Sequence, residues 1–211
     1  MDQKDLSTEE TILQAAREIF TRKGRDGARM QEIADHAKVN KTLLHYYYRS
    51  KEKLFYRVVE DVIKGLLNRV ITTSFSPSPF KPFLRRFINN HIDFMEQHQD
   101  MLGFLLWELK KDPQLIKNVI LKQFDQLGST PIKLFSDRIN TAIKSGEIRP
   151  IKAMDFIINL ASLDIFVFAL LPVISPFISP DEKQLKALVQ SRKKEVFRLL
   201  WNDIAQKNKT A

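Results

Sequence analysis

The sequence contains no cysteine. This absence excludes disulfide bonds, thiolate catalysis and zinc sites built on cysteine, and it is typical of proteins of the reducing cytosol. The first residues, MDQKDLSTEETILQ, are polar and acidic, whereas a signal peptide has a basic segment followed by an apolar one. We therefore expect a cytoplasmic protein.

Glycine is also scarce, with 6 residues in 211, and alternating apolar and polar runs flanked by hairpin turns are missing. Apolar residues recur instead at helical spacing, which predicts an all-α fold. The predicted helices cover about residues 7–24, 30–37, 40–48, 50–73, 80–97, 101–110, 113–145, 151–171 and 180–207. We expect the Gly128-Ser129-Thr130-Pro131 segment to break or kink the long helix over 113–145.

The chain has a formal net charge of +9 and a pI near 9.7. Such a field attracts nucleic acid, an anionic membrane surface or an acidic protein, so charge alone leaves these partners open. The apolar run over 156–174 is long enough to span a membrane, but it contains Asp164 near its centre, where a carboxylate costs about 2.5–3.5 kcal/mol. We expect a buried or interface helix rather than a membrane span.

Two short helices near the N-terminus determine the functional prediction. The first helix has Ser7 as its predicted N-cap, with Glu10 completing a capping box, and a glycine stop at Gly24. The second helix, over 30–37, is joined by a tight turn to a third that begins at Asn40. Such a pair of short helices is the helix-turn-helix pattern.

The third helix has two different sides. Leu44 and Tyr48 share one face at about 100° per residue, which predicts that they are buried. Polar and aromatic residues and one leucine occupy the other face and its flanks: Lys41, Thr42, Leu43, His45, Tyr46 and Tyr47. These side chains offer hydrogen bonds to phosphates and base edges, together with apolar surface for thymine methyl groups.

These residues resemble the signature of the TetR family of transcriptional regulators. The matching pieces span about Ile12 to Phe55 and are Glu32-Ile33-Ala34, Val39-Asn40-Lys41, Leu44, Tyr47-Tyr48 and Ser50-Lys51-Glu52-Lys53-Leu54-Phe55. The resemblance implies a homodimer that binds double-stranded DNA and represses transcription, with a small-molecule effector. It also implies no enzymatic activity and no cofactor.

The resemblance assigns roles to individual residues. Lys41, Thr42, Leu43, Tyr46 and Tyr47 match the positions of the recognition helix that touch DNA. Gln31 matches a base-reading position, and phosphate contacts are expected from His45, Lys51 and Arg29.

The chain departs from the family pattern at three positions. Lys38 stands where glycine is usual in the turn, so a residue with a Cβ must adopt any left-handed backbone there. Arg29 replaces the usual Ser or Thr cap of the second helix. Tyr48 replaces phenylalanine, and its buried hydroxyl needs a partner.

The remainder of the chain carries weaker signals. We predict a helix-turn-helix domain over 1–50, a connecting helix over 51–75 and a ligand-binding and dimerisation domain over 76–211. The Ser76-Pro77-Ser78-Pro79 segment is a break between the last two. The last helix has Ser179 as predicted N-cap, Pro180 at its first position and Glu182 in a capping box.

In the resembled family the last two helices form a four-helix bundle across a two-fold axis, and their apolar residues suit such an interface. The family also binds ligands in this domain, which is rich in phenylalanine. Candidate ligand-binding residues are Phe87, Phe104, Trp107, Glu108, Phe124 and Asp164. The alternative for each is a place in the core, or for the two acids a partner on a neighbouring helix.

Two rival functions stay open on sequence grounds. An enzyme could use Ser191 and Lys194, which form a Ser-x-x-Lys pattern without its companion motifs. His91 and His98 lack a third ligand, and we expect surface or packing histidines rather than a metal site. The second rival is a constitutive DNA-binding dimer that takes no ligand.

Overall fold

The computed structural model describes residues 3–74, 78–127, 130–178 and 181–206. These residues form ten helices: α1 (Gln3–Gly27), α2 (Met30–His36), α3 (Lys41–Tyr47), α4 (Lys51–Ser74), α5 (Phe80–Gln97), α6 (Gln99–Lys111), α7 (Pro113–Leu127), α8 (Pro131–Lys144), α9 (Ala153–Ile178) and α10 (Glu182–Ile204). Within the described ranges the only pairing of extended backbone is an isolated bridge between Ile148 and Ala205. The predicted all-α class is confirmed.

The chain divides into two compact units. Unit 1 comprises residues 1–65 and 100–123, and therefore holds α1 to α3, most of α4, α6 and α7. Unit 2 comprises residues 66–99 and 124–211, and holds α5 and α8 to α10. This division follows packing. The functional division at residues 50 and 75 stays a prediction.

The start of α1 differs from the prediction. The helix begins at Gln3, so Ser7 lies inside it, and the Ser7 carbonyl accepts a hydrogen bond from the Thr11 hydroxyl at 2.8 Å. The expected N-cap at Ser7 is wrong because the polar residues before it continue the helix. Gly24 has φ 69° and ψ 173°, and the predicted glycine stop therefore appears as a break before the last turn of α1.

The ends of the later helices follow the prediction in part. The break expected in the helix over 113–145 is confirmed, because α7 ends at Leu127 and α8 begins at Pro131, with Gly128 and Ser129 outside the described residues. Thr130 caps α8, and its hydroxyl accepts from the Lys133 amide at 3.0 Å. α10 is capped by Asp181, not Ser179, and Gln184 instead of Glu182 completes the capping box. An aspartate with glutamine three residues later satisfies two backbone N–H groups at once. The predicted positions Ser179 and Pro180 lie outside the described residues.

In unit 2, α5 packs against α8, α9 and α10. Its core is built from aromatic rings, with Phe87 and Phe135 edge to face at 4.8 Å between centroids and Phe83 at 5.3 Å from Phe135. Many of the phenylalanines of this region are therefore core residues.

α9 runs to Ile178, beyond the predicted end at Leu171, and includes Pro172 and Pro176. Over Ala153–Phe177 it is long and apolar enough to span a membrane by composition alone, with a mean hydropathy of 2.3. Asp164 is nevertheless buried within unit 2, where its carboxylate contacts His91 on α5 at 3.0 Å. α9 thus packs as part of a helical bundle.

Candidate nucleic-acid interface

The helix-turn-helix is supported by a small apolar core in unit 1. Phe20 of α1 and Phe55 of α4 meet edge to face at 5.1 Å between ring centroids. Ile33 and Ala34 of α2 and Leu44 of α3 are completely buried. α2 packs against both α1 and α3, so buried residues on each side of the turn fix the two short helices.

The turn between α2 and α3 is tight. The Val39 amide donates to the Ala34 carbonyl at 3.0 Å, and the Lys38 amide donates to the Asp35 carbonyl at 3.1 Å. Lys38 has φ 54°, the left-handed backbone in which a Cβ costs about 1–2 kcal/mol. The sequence-based expectation for a lysine in place of glycine is thus confirmed.

α3 is fixed at both ends. The Asn40 side chain accepts a hydrogen bond from the Leu43 amide at 2.7 Å, which confirms the predicted N-cap. At the other end Tyr48 is buried, and its hydroxyl donates to Glu9 of α1 at 2.9 Å. This is the partner that a buried tyrosine needs, and burial followed by the Glu9 hydrogen bond raises the pKa of Tyr48.

The outward face of α3 is open. Lys41, Thr42 and His45 are exposed, and Tyr46 is 78% exposed. Leu43 and Tyr47 are half-buried, and the Tyr47 ring lies edge to face with Tyr46 at 5.4 Å. The predicted row of DNA-facing residues is therefore presented by one helix face, with Leu43 and Tyr47 at its margin.

Three predicted DNA-binding residues lie outside α3, and two of them, Gln31 and Lys51, make hydrogen bonds within the protein. Arg29 is exposed and makes no side-chain cap of α2, in line with the loss of the usual cap. The exposed Gln31 amide donates to Asp35 at 2.8 Å. The Lys51 ammonium donates to the Asp26 and Ala28 carbonyls at 3.3 and 3.2 Å, so it also holds the end of α1.

Some charged residues were not singled out from the sequence. Arg49 and Lys53 are exposed beside the end of α3 and the start of α4, and the basic run from Lys38 to Lys53 was the available signal. Glu32 of α2 pairs with Arg22 at 3.0 Å and with Lys23 at 2.7 Å. The hydrogen bond from Lys23 lowers the pKa of Glu32. These pairs tie α2 to α1.

The candidate ligand-binding residues fall into two groups. Phe104, Trp107 and Glu108 belong to unit 1, whereas Phe87, Phe124 and Asp164 belong to unit 2. Trp107 is 65% exposed and Phe124 is half-buried, while the other four are buried.

In unit 2 the Phe87 ring stacks on His91 at 5.6 Å, and His91 contacts one oxygen of Asp164. The second Asp164 oxygen has no hydrogen-bond partner among the described residues. Burial raises the pKa of Asp164 despite the opposing effect of His91. His98 contacts the Phe94 carbonyl at 2.8 Å, so both of these histidines have protein partners.

Known proteins are similar to this chain in sequence and in fold. Residues 12–58 match the family model described as bacterial regulatory proteins, tetR family. Over 102 residues the chain is 33% identical to the HTH-type transcriptional repressor SCO4008 of Streptomyces coelicolor, which covers 48% of this chain and 50% of that one. It is 29% identical over 101 residues to the repressor NicS of Pseudomonas putida, covering 48% of each chain. The chain thus spans about half the length of these curated relatives.

The likeness of fold extends further. The TetR family regulator PfmR of Thermus thermophilus superposes with a TM-score of 0.61 at 20% identity, covering 89% of this chain and 97% of that one. Residues 12–58 of this chain are thus similar to bacterial regulatory proteins of the tetR family, and its fold resembles that of PfmR.

Proposed function

We propose that this protein is a cytoplasmic transcriptional repressor that binds a palindromic operator as a homodimer and leaves it when a small, largely apolar effector binds. The observation that carries the DNA-binding part is the outward face of α3. Lys41, Thr42, His45 and Tyr46 are exposed on this face. Leu44 and Tyr48 anchor the opposite side of the helix in the core. A rigid helix with an open face of this chemistry fits the major groove.

Charge and anchoring support the same function. Lys41 lies at the start of α3, and Arg29, Arg49 and Lys53 are exposed on adjoining segments. Cations around a recognition helix contact phosphates and orient the helix without reading sequence. Thr42 and Tyr46 at the centre of the exposed face are the residues we assign to base contact, and Gln31 becomes a third once its amide leaves Asp35.

A dimer is supported by the uncovered face of α9. Its exposed apolar residues recur along one side of the helix and are Met154, Ile158, Phe166, Leu170, Val173 and Phe177. α10 adds exposed Leu188 and Leu199. An apolar surface of this length on a globular protein marks an interaction site, and a two-fold dimer covers the same patch on both copies. The two copies of α3 then bind two half-sites that lie about one turn of the DNA helix apart.

The DNA-binding part is tested by separating base contacts from phosphate contacts. On duplexes selected from a random pool, Thr42→Ala and Tyr46→Ala should each weaken binding about 5- to 150-fold, because a base contact contributes about 1–3 kcal/mol. Binding to unselected duplex should change little. Lys51→Ala should weaken binding to all duplexes and lower the salt slope by about one unit.

Lys64→Ala is the matched control, because Lys64 is exposed on the same helix as Lys51 but lies more than three turns further along it. It should leave the salt slope unchanged. Equal losses on selected and unselected duplexes for Thr42→Ala and Tyr46→Ala would remove the base-reading role of α3. A pool that yields a single unrepeated half-site would contradict the dimer.

Effector control is the second part of the proposal and rests on the family resemblance together with the aromatic interior of unit 2. A true effector should lower operator affinity about 5- to 150-fold, and operator should weaken effector binding by the same factor. In Trp107→Phe protein, Trp201 of unit 2 is the remaining tryptophan, and its emission should follow the concentration that releases DNA. If no compound of a broad apolar library raises the unfolding temperature, the protein is a constitutive DNA-binding dimer.

A further inference from the structure

Glu108 is a buried acid without a partner. Its side chain lies on α6 with 1% of its surface exposed, and neither carboxylate oxygen has a hydrogen-bond partner among the described residues. An ionised carboxylate in such surroundings is unfavourable, because burial removes its hydration and no donor replaces it. Burial accordingly raises the pKa of Glu108.

Glu60 shows what a satisfied buried acid looks like in the same unit. Its carboxylate lies 2.8 Å from the Lys122 ammonium, and it accepts from the Gln123 amide at 3.2 Å. Burial alone would raise the pKa of Glu60, but the hydrogen bond and charge of Lys122, helped by Arg57, outweigh burial and lower it. The contrast between the two acids therefore comes from their partners.

Four charged groups influence the pKa of Glu108. Lys111 and Arg25 attract the carboxylate, while Asp26 and Asp112 repel it. Both cations already have acidic partners, since the Lys111 ammonium pairs with Asp26 and the Arg25 guanidinium lies 3.7 Å from Asp112. These two pairs join the last turn of α1 to the C-terminal end of α6.

Contacts from α4 also hold the end of α1, from which the chain continues into α2. The Lys51 ammonium of α4 binds the Asp26 and Ala28 carbonyls. α4 also contributes the Phe55 ring, whose centroid lies 5.2 Å from the Arg25 guanidinium. If Arg25 or Lys111 turns from its partner, the end of α1 loses an ion pair beside the helix-turn-helix.

We propose that Glu108 is a charge-sensitive device in unit 1, whose ionisation weakens the ion pairs between α1 and α6. While Glu108 is neutral, the two ion pairs between α1 and α6 stay intact. When Glu108 ionises, it competes with Asp26 and Asp112 for Lys111 and Arg25 and loosens the end of α1. The effect on unit 1 stands independently, and its consequence for operator binding rests on the proposed function.

The sign of the pH dependence follows from the raised pKa. The folded protein retains a proton that the unfolded chain has released, so this stabilisation is complete below the unfolded pKa and is lost as pH rises through the folded pKa. Glu108→Gln keeps the shape and removes the charge. Its unfolding temperature should exceed that of the unaltered protein by about 3–5 °C at about pH 8, and the gap should close near pH 4.

Glu60→Gln is the matched control, with the same substitution at a buried acid of the same unit. Because the pKa of Glu60 is lowered, its contribution is present at neutral pH and is lost as pH falls through the folded pKa. Glu60→Gln should therefore unfold at a lower temperature than the unaltered protein at about pH 8. Opposite signs for the two variants support the proposal, and equal signs or a gap independent of pH for Glu108→Gln overturn it.

Local opening gives a second measurement. Between about pH 5 and 8 the amides of residues 25–28 should lose hydrogen-exchange protection in the unaltered protein and keep it in Glu108→Gln, after correction for the intrinsic exchange rate. Glu108→Leu, which is neutral as well, serves if the glutamine variant does not fold. If hydrogen exchange shows this difference but neither the unaltered protein nor Glu108→Gln binds any duplex, the proposed function fails and the device stands. Unchanged protection in the unaltered protein overturns the device.

Discussion

Replacing Phe166 with glutamate should convert the proposed homodimer into a monomer. Phe166 is 63% exposed and lies midway along the apolar face of α9, with Ile158 two turns before it and Val173 two turns after it. In a two-fold dimer the substitution places a carboxylate from each copy in an apolar interface without a counter-ion. We expect the dimer dissociation constant to rise at least about 100-fold, an increase of about 3 kcal/mol, in sedimentation velocity at micromolar concentration.

Operator affinity should fall with the dimer. A single recognition helix binds one half-site, and losing the linked second site costs about 10²- to 10⁴-fold. The unfolding of unit 1 should be unaffected, because Phe166 belongs to unit 2. Ile132→Glu, which places the same charge on an exposed apolar residue of α8, should remain a dimer. A dimeric Phe166→Glu protein would show that copies associate through another face.

The sequence predicted the helix-turn-helix well because its determinants are local. Asn40 caps the helix that it precedes, and Leu44 and Tyr48 fall on the buried side through helical periodicity alone. The left-handed turn at Lys38 was expected from the place of that residue in the family pattern. Rules that act within one or two turns were enough for this part.

The predicted helix ends were wrong where two local signals competed. Ser7 and Ser179 both look like N-caps, yet α1 begins at Gln3 and α10 is capped by Asp181. Several residues near a terminus can cap a helix, and the choice depends on which backbone N–H groups packing leaves open. Periodicity also placed Leu43 on the side of α3 that faces away from the core, whereas the structure has it half-buried.

Partners that are distant in the chain were beyond sequence reasoning. Tyr48 and Glu9 are 39 positions apart, Gln123 and Glu60 are 63 apart, and His91 and Asp164 are 73 apart. The grouping of α6 and α7 with α1 to α3 in unit 1 likewise depends on packing between distant parts of the chain. One sequence shows which side chains need partners, but the packing of helices decides which partners they obtain.

Phe55 joins the helices of unit 1, and its removal should have the largest effect on folding. The ring is completely buried and meets Phe20 of α1 at 5.1 Å and Phe104 of α6 at 5.5 Å, both edge to face. Truncating a buried phenylalanine costs about 3–5 kcal/mol through lost burial and the cavity that remains. Domains are stable by about 5–15 kcal/mol, so Phe55→Ala removes a large fraction of the stability of unit 1.

Phe55→Ala should therefore lose operator binding on warming well before it loses its dimer, because the uncovered faces of α9 and α10 belong to unit 2. Urea unfolding followed by hydrogen exchange should show unprotected amides first in α1 to α3. Phe55→Leu, a smaller change of volume, should cost less than half as much. Phe166→Glu should instead keep the helix-turn-helix and lose the proposed dimer, so the pair of variants should separate the two units by function. If Phe55→Ala dissociates at the temperature at which it stops binding DNA, the two units do not unfold independently.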